Sequence, residues 1–134
     1  MKSVLVDSSV WIDHFLGSHS PQSDILANLL KGDARIAICP PIMQEVLQGF
    51  RSDTDYNAAR FFLDDMEKLE AEPYHAAHGA TEIYRSLRKR GLTIRKSTDC
   101  LIAWYALQAR IPVLHRDRDF DMMAKPLKLK ILKI

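Results

Sequence analysis

The sequence has few of the features that mark a secreted or zinc-binding protein. Only two of its 134 residues are cysteines, Cys39 and Cys100, and they form no CxxC pair. Two cysteines so far apart predict reduced, buried thiols, and they exclude a disulfide scaffold and a conventional zinc site. We therefore expect a cytoplasmic protein whose core, not covalent cross-links, holds the fold together.

Long apolar runs and a strong net charge are also missing. No stretch of 18 apolar residues is present, which excludes a transmembrane helix, and Asp7 interrupts the first apolar segment too early for a signal peptide. The net charge of +2 excludes binding to nucleic acid through overall charge, so any basic surface must be local. Without a linker, repeat or low-complexity segment, we expect a single domain over residues 1–134.

Short apolar strands alternate with amphipathic helices along the chain. We predict strands at 2–6, 35–39 and 113–115, a further short strand around Ala71, and an edge strand in the tail, 127–134. Helices are predicted at 10–16, 25–30, 42–50, 53–69 and 75–90, and after a cap at Ser97 or Thr98. This alternation predicts an α/β fold, a three-layer sandwich with a short, mainly parallel sheet flanked by helices.

Four acidic residues fall where such a fold places a site. Asp7 and Asp117 each follow a predicted strand, and ligands bind outside the carboxyl ends of strands in open α/β sheets. Glu45 lies in the second turn of one predicted helix and Asp99 in the first turn of another. Each acid also has a purely structural explanation: Asp7 as a helix cap, Asp99 as a favourable charge at a helix start, and Glu45 as an exposed helix residue. Spacing alone leaves both explanations open.

Carboxylates that meet in one place need a cation. Two of them repel by about 4 kcal/mol at roughly 4 Å for an effective dielectric constant of about 20. A site made of oxygen ligands with high negative charge suits one or two Mg²⁺ or Mn²⁺ ions. Such ions orient a phosphate, lower the pKa of a bound water and stabilise a leaving oxygen, which is the chemistry of phosphodiester hydrolysis.

Four segments carry a resemblance to a known family. VLVDSSVWID, PPIMQEVLQG, TIRKSTDCLIAWYAL and VLHRDRDF, in this order, resemble the PIN-domain family and most closely its VapC-type toxin branch. They lie within residues 3–120, about nine-tenths of the chain. The resemblance implies that the catalytic, metal-binding acids are Asp7, Glu45, Asp99 and Asp117, supported by Ser9 and by Asp119 as an accessory ligand.

Two details qualify the match. Trp104 and Tyr105 stand where the family often has small residues, a departure that concerns helix packing more than the acids. HAD-type phosphatases also place an aspartate after the first strand, but they have a second aspartate two residues later. This chain has Ser9 there, which counts against a phosphatase of that type.

Basic residues cluster between positions 85 and 96 with no acid among them. As a rim that binds phosphates we predict Arg85, Arg88, Lys89, Arg95, Lys96 and Arg116. The alternatives are a solvated helix end, where cations are favourable, and for Arg116 an ion pair with a nearby acid. That the nucleic acid is RNA is implied by the resemblance alone.

The resemblance implies a Mg²⁺- or Mn²⁺-dependent endoribonuclease that hydrolyses RNA phosphodiester bonds as the toxin of a type II toxin–antitoxin pair. Its expected partners are the RNA substrate, a small VapB-like antitoxin that occupies the acidic groove, and a second copy that forms a homodimer. The sequence leaves the dimer geometry open, with the apolar helices of residues 21–69 as candidates. No membrane partner is expected. Two alternatives are a catalytically idle PIN-like module that binds RNA or protein, and a housekeeping RNA-maturation nuclease.

Overall fold

The computed structural model describes residues 3–132. Its four strands are β1 (Ser3–Val6), β2 (Arg35–Ile38), β3 (Glu67–Lys68) and β4 (Val113–Leu114), which form a parallel sheet in the order β3-β2-β1-β4. Within the same residues there are seven helices: α1 (Ser8–Leu16), α2 (Pro21–Lys31), α3 (Pro40–Leu47), α4 (Asp53–Asp64), α5 (Pro73–Lys89), α6 (Ser97–Ala109) and α7 (Arg118–Leu127). The predicted α/β fold with a parallel sheet is confirmed.

The sheet is buried on both faces. Val4, Leu5 and Val6 are all buried, although successive side chains of a strand point to opposite sides. Residues 36–38 of β2 are buried in the same way. Helices therefore cover both faces, as in the predicted three-layer arrangement. Because β1 lies between β2 and β4, the loops that follow these three strands meet at one edge of the sheet.

The region between residues 53 and 71 differs from the prediction. The helix predicted to reach residue 69 ends at Asp64, and the strand expected around Ala71 lies at Glu67–Lys68. The backbone N–H of Leu69 donates to the carbonyl of Ile38 at 2.8 Å, next to the two β2–β3 register pairs. The free edge of β2 thus offers this segment backbone partners that a longer helix would leave unused.

Helix α7 was not predicted, because its charged start reads as a loop. Asp117 caps it, Asp119 and Asp121 lie in its first turn, and Phe120 and Met123 are buried. Acids in a first turn stabilise a helix through its dipole. The acidic residues at 117, 119 and 121 therefore indicate the start of a helix and not a loop.

The lysine-rich tail forms less strand than expected. Its first residue, Leu127, ends α7, and Ile131 makes a single parallel bridge with Val113. Residues 133–134 of the predicted edge strand lie outside the described residues, as does residue 2 of the first strand.

The apolar pattern of α4 predicts that Phe61 and Phe62 belong to the core, and the structure shows that this prediction is wrong. Phe61 is 84% exposed and Phe62 is 36% exposed, whereas Ala59 and Leu63 are buried. The buried positions are four residues apart, so Phe61 points to the opposite side of the helix. Phe62 keeps an edge-on contact with Trp11, with ring centroids 6.1 Å apart.

Helices α5 and α6 approach closely where Gly79 meets Trp104. A Cβ atom on Gly79 would lie 2.0 Å from the Trp104 Nε1 atom, so only glycine leaves room for this indole. Trp104 and Tyr105 are both 6% exposed. Trp104 and Tyr105, the large residues that depart from the family pattern, are thus accommodated in the packing of α5 on α6.

The structure bears on two expectations from the sequence, the state of the two cysteines and the lack of a membrane-spanning helix. Cys39 and Cys100 are buried free thiols. Burial raises the pKa of Cys39 to about 12 and that of Cys100 to about 11, so neither is a reactive thiolate near neutral pH. Among the described residues, no helix combines the length and the apolar character needed to cross a bilayer.

Candidate metal centre

Asp7 connects the central strand to the first helix. It follows β1 and caps α1, is 2% exposed, and its Oδ2 accepts hydrogen bonds from the backbone N–H and the hydroxyl of Ser9 at 3.3 and 2.8 Å. Its Oδ1 is buried without a hydrogen-bond partner. One oxygen therefore holds the helix start, and the other is free for a ligand. The cap is Asp7 itself, and the Ser9 hydroxyl orients its carboxylate.

The side chain of Glu45, on α3, forms hydrogen bonds with residues of α1 and α6. It lies in the second turn of α3, half-buried, and its two carboxylate oxygens accept hydrogen bonds from the Ser8 hydroxyl of α1 at 3.1 Å and the Thr98 hydroxyl of α6 at 3.5 Å. These contacts fix the side chain toward Asp7 and Asp99. Neither hydroxyl was predicted to contact Glu45, although each belongs to a residue adjacent to a predicted site residue.

Asp99 is buried in the first turn of α6. It is 2% exposed, and its Oδ2 has no hydrogen-bond partner. The α6 cap is Lys96, without a side-chain hydrogen bond, and not Ser97 or Thr98 as predicted. The dipole at this helix start offers Asp99 some stabilisation, but no hydrogen bond satisfies its inner oxygen.

Asp117 follows β4 and caps α7 through a hydrogen bond from the backbone N–H of Asp119 to its Oδ1 at 2.9 Å. Its own backbone N–H donates to His115 Nδ1 at 3.0 Å, and the His115 Nε2 faces Asp121 at 3.2 Å. Carboxylate oxygens of Asp99, Asp117 and Asp119 lie within 4.8 Å of one another. His115 is a support for this turn that the sequence analysis did not identify.

The hydrogen bonds of Glu45 and the pKa of Asp99 both indicate that the four acids lie close together. Burial and the charges of Asp7, Asp117 and Glu45 together raise the pKa of Asp99 to about 7, while Lys96 opposes the rise. The charges of Asp7 and Glu45 also act on Cys39, at the end of β2. The structure thus brings all four predicted acids, remote in sequence, to one edge of the sheet.

Arg95 lies against the exposed side of these acids. Its Nη2 donates to Asp117 Oδ1 at 3.0 Å, and its Nε and backbone N–H both donate to Asp119 Oδ2, at 3.3 and 3.2 Å. Asp119, 2% exposed, therefore anchors the segment before α6 in addition to lying beside Asp99 and Asp117. One guanidinium group can therefore form hydrogen bonds with two carboxylates of this acidic surface.

The other basic residues predicted to bind RNA are in different surroundings. The positive charge of Lys96 lies close enough to Asp99 to lower the pKa of that carboxyl group. Arg116 pairs with the buried Asp13 of α1, which offsets its charge. The three cations of α5, at positions 85, 88 and 89, are exposed. Binding of RNA by these residues stays a prediction.

The residues present fit a divalent cation. Two buried carboxylate oxygens, Asp7 Oδ1 and Asp99 Oδ2, lack any hydrogen-bond partner, and buried polar atoms are rarely left unpaired without a functional reason. The donors are carboxylate oxygens, which Mg²⁺ and Mn²⁺ prefer. A cation between the acids would pair the free oxygens and offset the repulsion that raises the pKa of Asp99.

Comparisons with known proteins agree with this geometry. Residues 4–126 match the PIN domain. The VapC ribonuclease Mb1587 of Mycobacterium bovis and ribonuclease VapC11 of Mycobacterium tuberculosis are each 33% identical over 123 residues, 91% of this chain and 92% of theirs. Among solved structures, VapBC2 from Rickettsia felis bound to a promoter DNA fragment has a TM-score of 0.73 at 18% identity and covers 97% of each chain. VapBC-5 from Mycobacterium tuberculosis has a TM-score of 0.69 at 20% identity and covers 100% of each. The chain belongs to the PIN-domain family.

Proposed function

We propose that this protein is a divalent-metal-dependent endoribonuclease that acts as the toxin of a type II toxin–antitoxin pair. The observation that carries the proposal is the gathering of four remote acids at one sheet edge, with two buried carboxylate oxygens left unpaired. The names of the 33%-identical relatives, both ribonucleases, support the reaction, and the toxin–antitoxin complexes among the structural neighbours support the biological role.

Each side chain then has a definite part in the site. Asp7, Glu45, Asp99 and Asp117 would hold one or two Mg²⁺ or Mn²⁺ ions, with Asp119 as an accessory ligand. Bound there, the ion would supply the charge that lowers the pKa of a water and stabilises the leaving oxygen of the phosphodiester.

Around these acids, the neighbouring polar groups fix orientation. Ser9 holds Asp7, while Ser8 and Thr98 hold Glu45. His115 fixes the backbone at Asp117 through its Nδ1. Preorganised ligands of this kind avoid the cost of rearrangement when charge develops in the reaction.

A small VapB-like antitoxin would occupy the acidic groove. Arg95 supports this part of the proposal, because its guanidinium already pairs with Asp117 and Asp119. An arginine from a partner protein could pair in a similar way with the neighbouring carboxylates, since guanidinium and carboxylate groups form strong charge-assisted hydrogen bonds. A second copy of the chain would pack on the apolar helices of residues 21–69, where Phe61 is 84% exposed.

We place this single-domain protein, residues 1–134, in the cytoplasm.

The test of the reaction is cleavage of RNA with Mg²⁺ or Mn²⁺ and with EDTA. We expect cleavage only with metal, and its loss in Asp7→Asn. Asp33→Asn is the matched control, because Asp33 is exposed and precedes β2, at the opposite edge of the sheet. RNA that stays intact with metal but still binds would favour the idle binding module instead.

The toxin role needs a separate experiment in cells. Expression of the chain should arrest growth, and co-expression of a small neighbouring protein should relieve the arrest. Asp7→Asn should be harmless. Normal growth combined with metal-dependent RNA cleavage in vitro would favour a housekeeping nuclease over a toxin.

A further inference from the structure

A groove of about 350 Å³ lies between α5 and the first turns of α6. Its walls combine small apolar groups, an aromatic ring and hydroxyl groups: Ala77, Ala80, Thr81 and Tyr84 from α5, and Ser97 and Thr98 from α6. Pockets that bind small planar ligands have this mixture of apolar surface and a few polar groups. None of the roles proposed above uses this groove.

The packing of the two helices explains why the groove is open. Near the middle of α5, Gly79 allows the indole of Trp104 to fill the space between the helices. Next to Gly79, the groove is lined by the alanines Ala77 and Ala80, whose side chains are too short to fill it. The opening therefore follows from residue size and faces the end of α6 that carries Asp99.

Thr98 links the groove to the candidate metal centre. Thr98 lines the groove, and its hydroxyl also donates to Glu45 Oε2 at 3.5 Å. Asp99 is the next residue along α6 and is buried among the acids. A nucleotide whose phosphate lies at the acids would therefore have the groove beside it.

Positive charge adjoins the groove beside Tyr84. Ala77, Thr81, Tyr84 and Arg88 recur every three or four residues along α5, so they share one side of the helix. The guanidinium of Arg88 lies over one face of the Tyr84 ring, with its Cζ atom 5.7 Å from the ring centroid, so a base would stack on the other face. An aromatic ring beside an arginine is the pairing that unstacked bases and their phosphates use in single-stranded RNA recognition.

We propose that this groove is a nucleobase site, in which Tyr84 stacks on a base of the RNA next to the phosphate that is cut. This inference rests on the proposed ribonuclease function and names how its substrate is held. Arg88 then contacts the neighbouring phosphate, and the hydroxyls of Ser97 and Thr98 face the edge of the base or its sugar. A peptide partner would not need a cation beside the ring, so the charge favours RNA as the occupant.

The experiment measures RNA binding in the Asp7→Asn background, where the probe stays uncut. The probes are short fluorescent single-stranded homopolymers of adenosine, uridine or cytidine, and an oligomer of equal length whose sugars carry no base. Tyr84→Leu removes the ring, and Tyr84→Phe keeps it. Tyr56→Leu is the matched control, because Tyr56 is a half-buried tyrosine on α4, outside the groove.

We expect Tyr84→Leu to weaken binding of at least one homopolymer by about fivefold to 100-fold, the range for loss of one base–aromatic stack. The baseless oligomer should bind equally well to the Asp7→Asn protein with and without the Tyr84→Leu substitution. Tyr84→Phe and Tyr56→Leu should leave the binding of every probe unchanged. A misfolded Tyr84→Leu protein would lose the baseless oligomer as well, so unchanged binding of that probe also shows that the variant is folded.

Two results would overturn the inference alone. The first is homopolymer binding that is equally tight with and without the Tyr84 ring. The second is an equal loss on the baseless oligomer, which would assign Tyr84 to the fold or to the sugar–phosphate backbone. Failure of every RNA to bind, together with no cleavage by the chain with Asp7 intact, would instead overturn the proposed function itself.

Discussion

At the scale of the residue, Asp7 shows how one carboxylate serves the fold and the site together. Its Oδ2 accepts the bonds that start α1, while its Oδ1 stays buried and unpaired. The helix-cap explanation and the metal-ligand explanation are therefore compatible, since each uses a different oxygen. Asp117 likewise caps α7 and has a carboxylate oxygen within 4.8 Å of those of Asp99 and Asp119.

Asp99→Asn tests the electrostatic cost of the metal-free site. The pKa of Asp99 is raised to about 7 by burial and by the other acids, against about 4 in an unfolded chain. The folded state therefore holds this proton more tightly, and metal-free stability falls as the pH rises from about 4 to about 7. Asparagine removes that penalty.

In EDTA, we expect the melting temperature of Asp99→Asn to match that of the unsubstituted protein near pH 4 and to equal or exceed it at pH 8. Each kcal/mol of relief is worth about 3–5 °C in a domain of this size. Thermal melts across this pH range, with Asp33→Asn as control, provide the measurement. A clear fall in melting temperature at pH 8 would show instead that Asp99 is a structural cap or ion-pair partner.

Arg95→Ala tests whether a guanidinium competes with the ion. Arg95 neutralises Asp117 and Asp119 in the absence of metal, so its removal should lower the metal-free melting temperature. The same removal frees Asp117, and we expect Mn²⁺ to bind about twofold to fivefold more tightly, as suits an exposed ion pair. Isothermal titration with Mn²⁺ checks this, with Arg51→Ala, an exposed loop arginine, as control. Weaker Mn²⁺ binding in Arg95→Ala would contradict competition and make Arg95 a support for the site.

At the scale of the element, strand ends and helix starts position the site. Asp7 and Asp117 follow neighbouring parallel strands, and this placement was predictable from short apolar runs that end in an acid. Helix α7 was missed because alternating charges at Arg116–Asp119 resemble a loop. The position of β3 was missed because it depends on a long-range partner, Ile38, that no local pattern specifies.

Gly79→Ala tests the close packing of α5 on α6. In an open helix, alanine would be more stable than glycine by roughly 0.5–1 kcal/mol. Here the new Cβ would lie 2.0 Å from Trp104 Nε1, so we expect a net loss of about 1–3 kcal/mol, the usual cost of overpacking.

Denaturant unfolding of Gly79→Ala measures this loss. Gly49→Ala is the control, because the nearest atom to its Cβ would be the Val46 carbonyl oxygen at an ordinary 3.6 Å. Replacing Trp104 with phenylalanine in the Gly79→Ala protein should recover part of the stability. If Gly79→Ala proved as stable as the unsubstituted protein, the close contact with Trp104 would be refuted.

At the scale of the whole molecule, the strand order joins acids that are remote in the chain. The four acids could be proposed from the sequence, because a resemblance in four ordered segments added to what spacing alone left open. The sequence did not predict the hydroxyls of Ser8 and Thr98 or the His115 support, because these contacts depend on the meeting of α1, α3, α6 and β4. Contacts between elements, unlike the elements themselves, leave little local signal.

Metal binding should stabilise the entire fold. An ion that binds only the folded state adds about 2.7 kcal/mol at a concentration 100 times its dissociation constant. We expect Mn²⁺ to raise the melting temperature of the protein and of Asp33→Asn, and to have little effect on Asp7→Asn or Glu45→Gln. An equal rise in all four proteins would mean that Mn²⁺ binds somewhere else.

The most direct measurement is anomalous diffraction from crystals soaked in Mn²⁺. The account predicts one or two manganese peaks at the carboxyl edge of the sheet, about 2.1 Å from carboxylate oxygens, a typical distance for such ions. The ligands should include Asp7 Oδ1 and Asp99 Oδ2, the two oxygens without partners, together with Glu45 and Asp117. Manganese bound only by Asp117 and Asp119, or carboxylates that point away from a common ion, would contradict it.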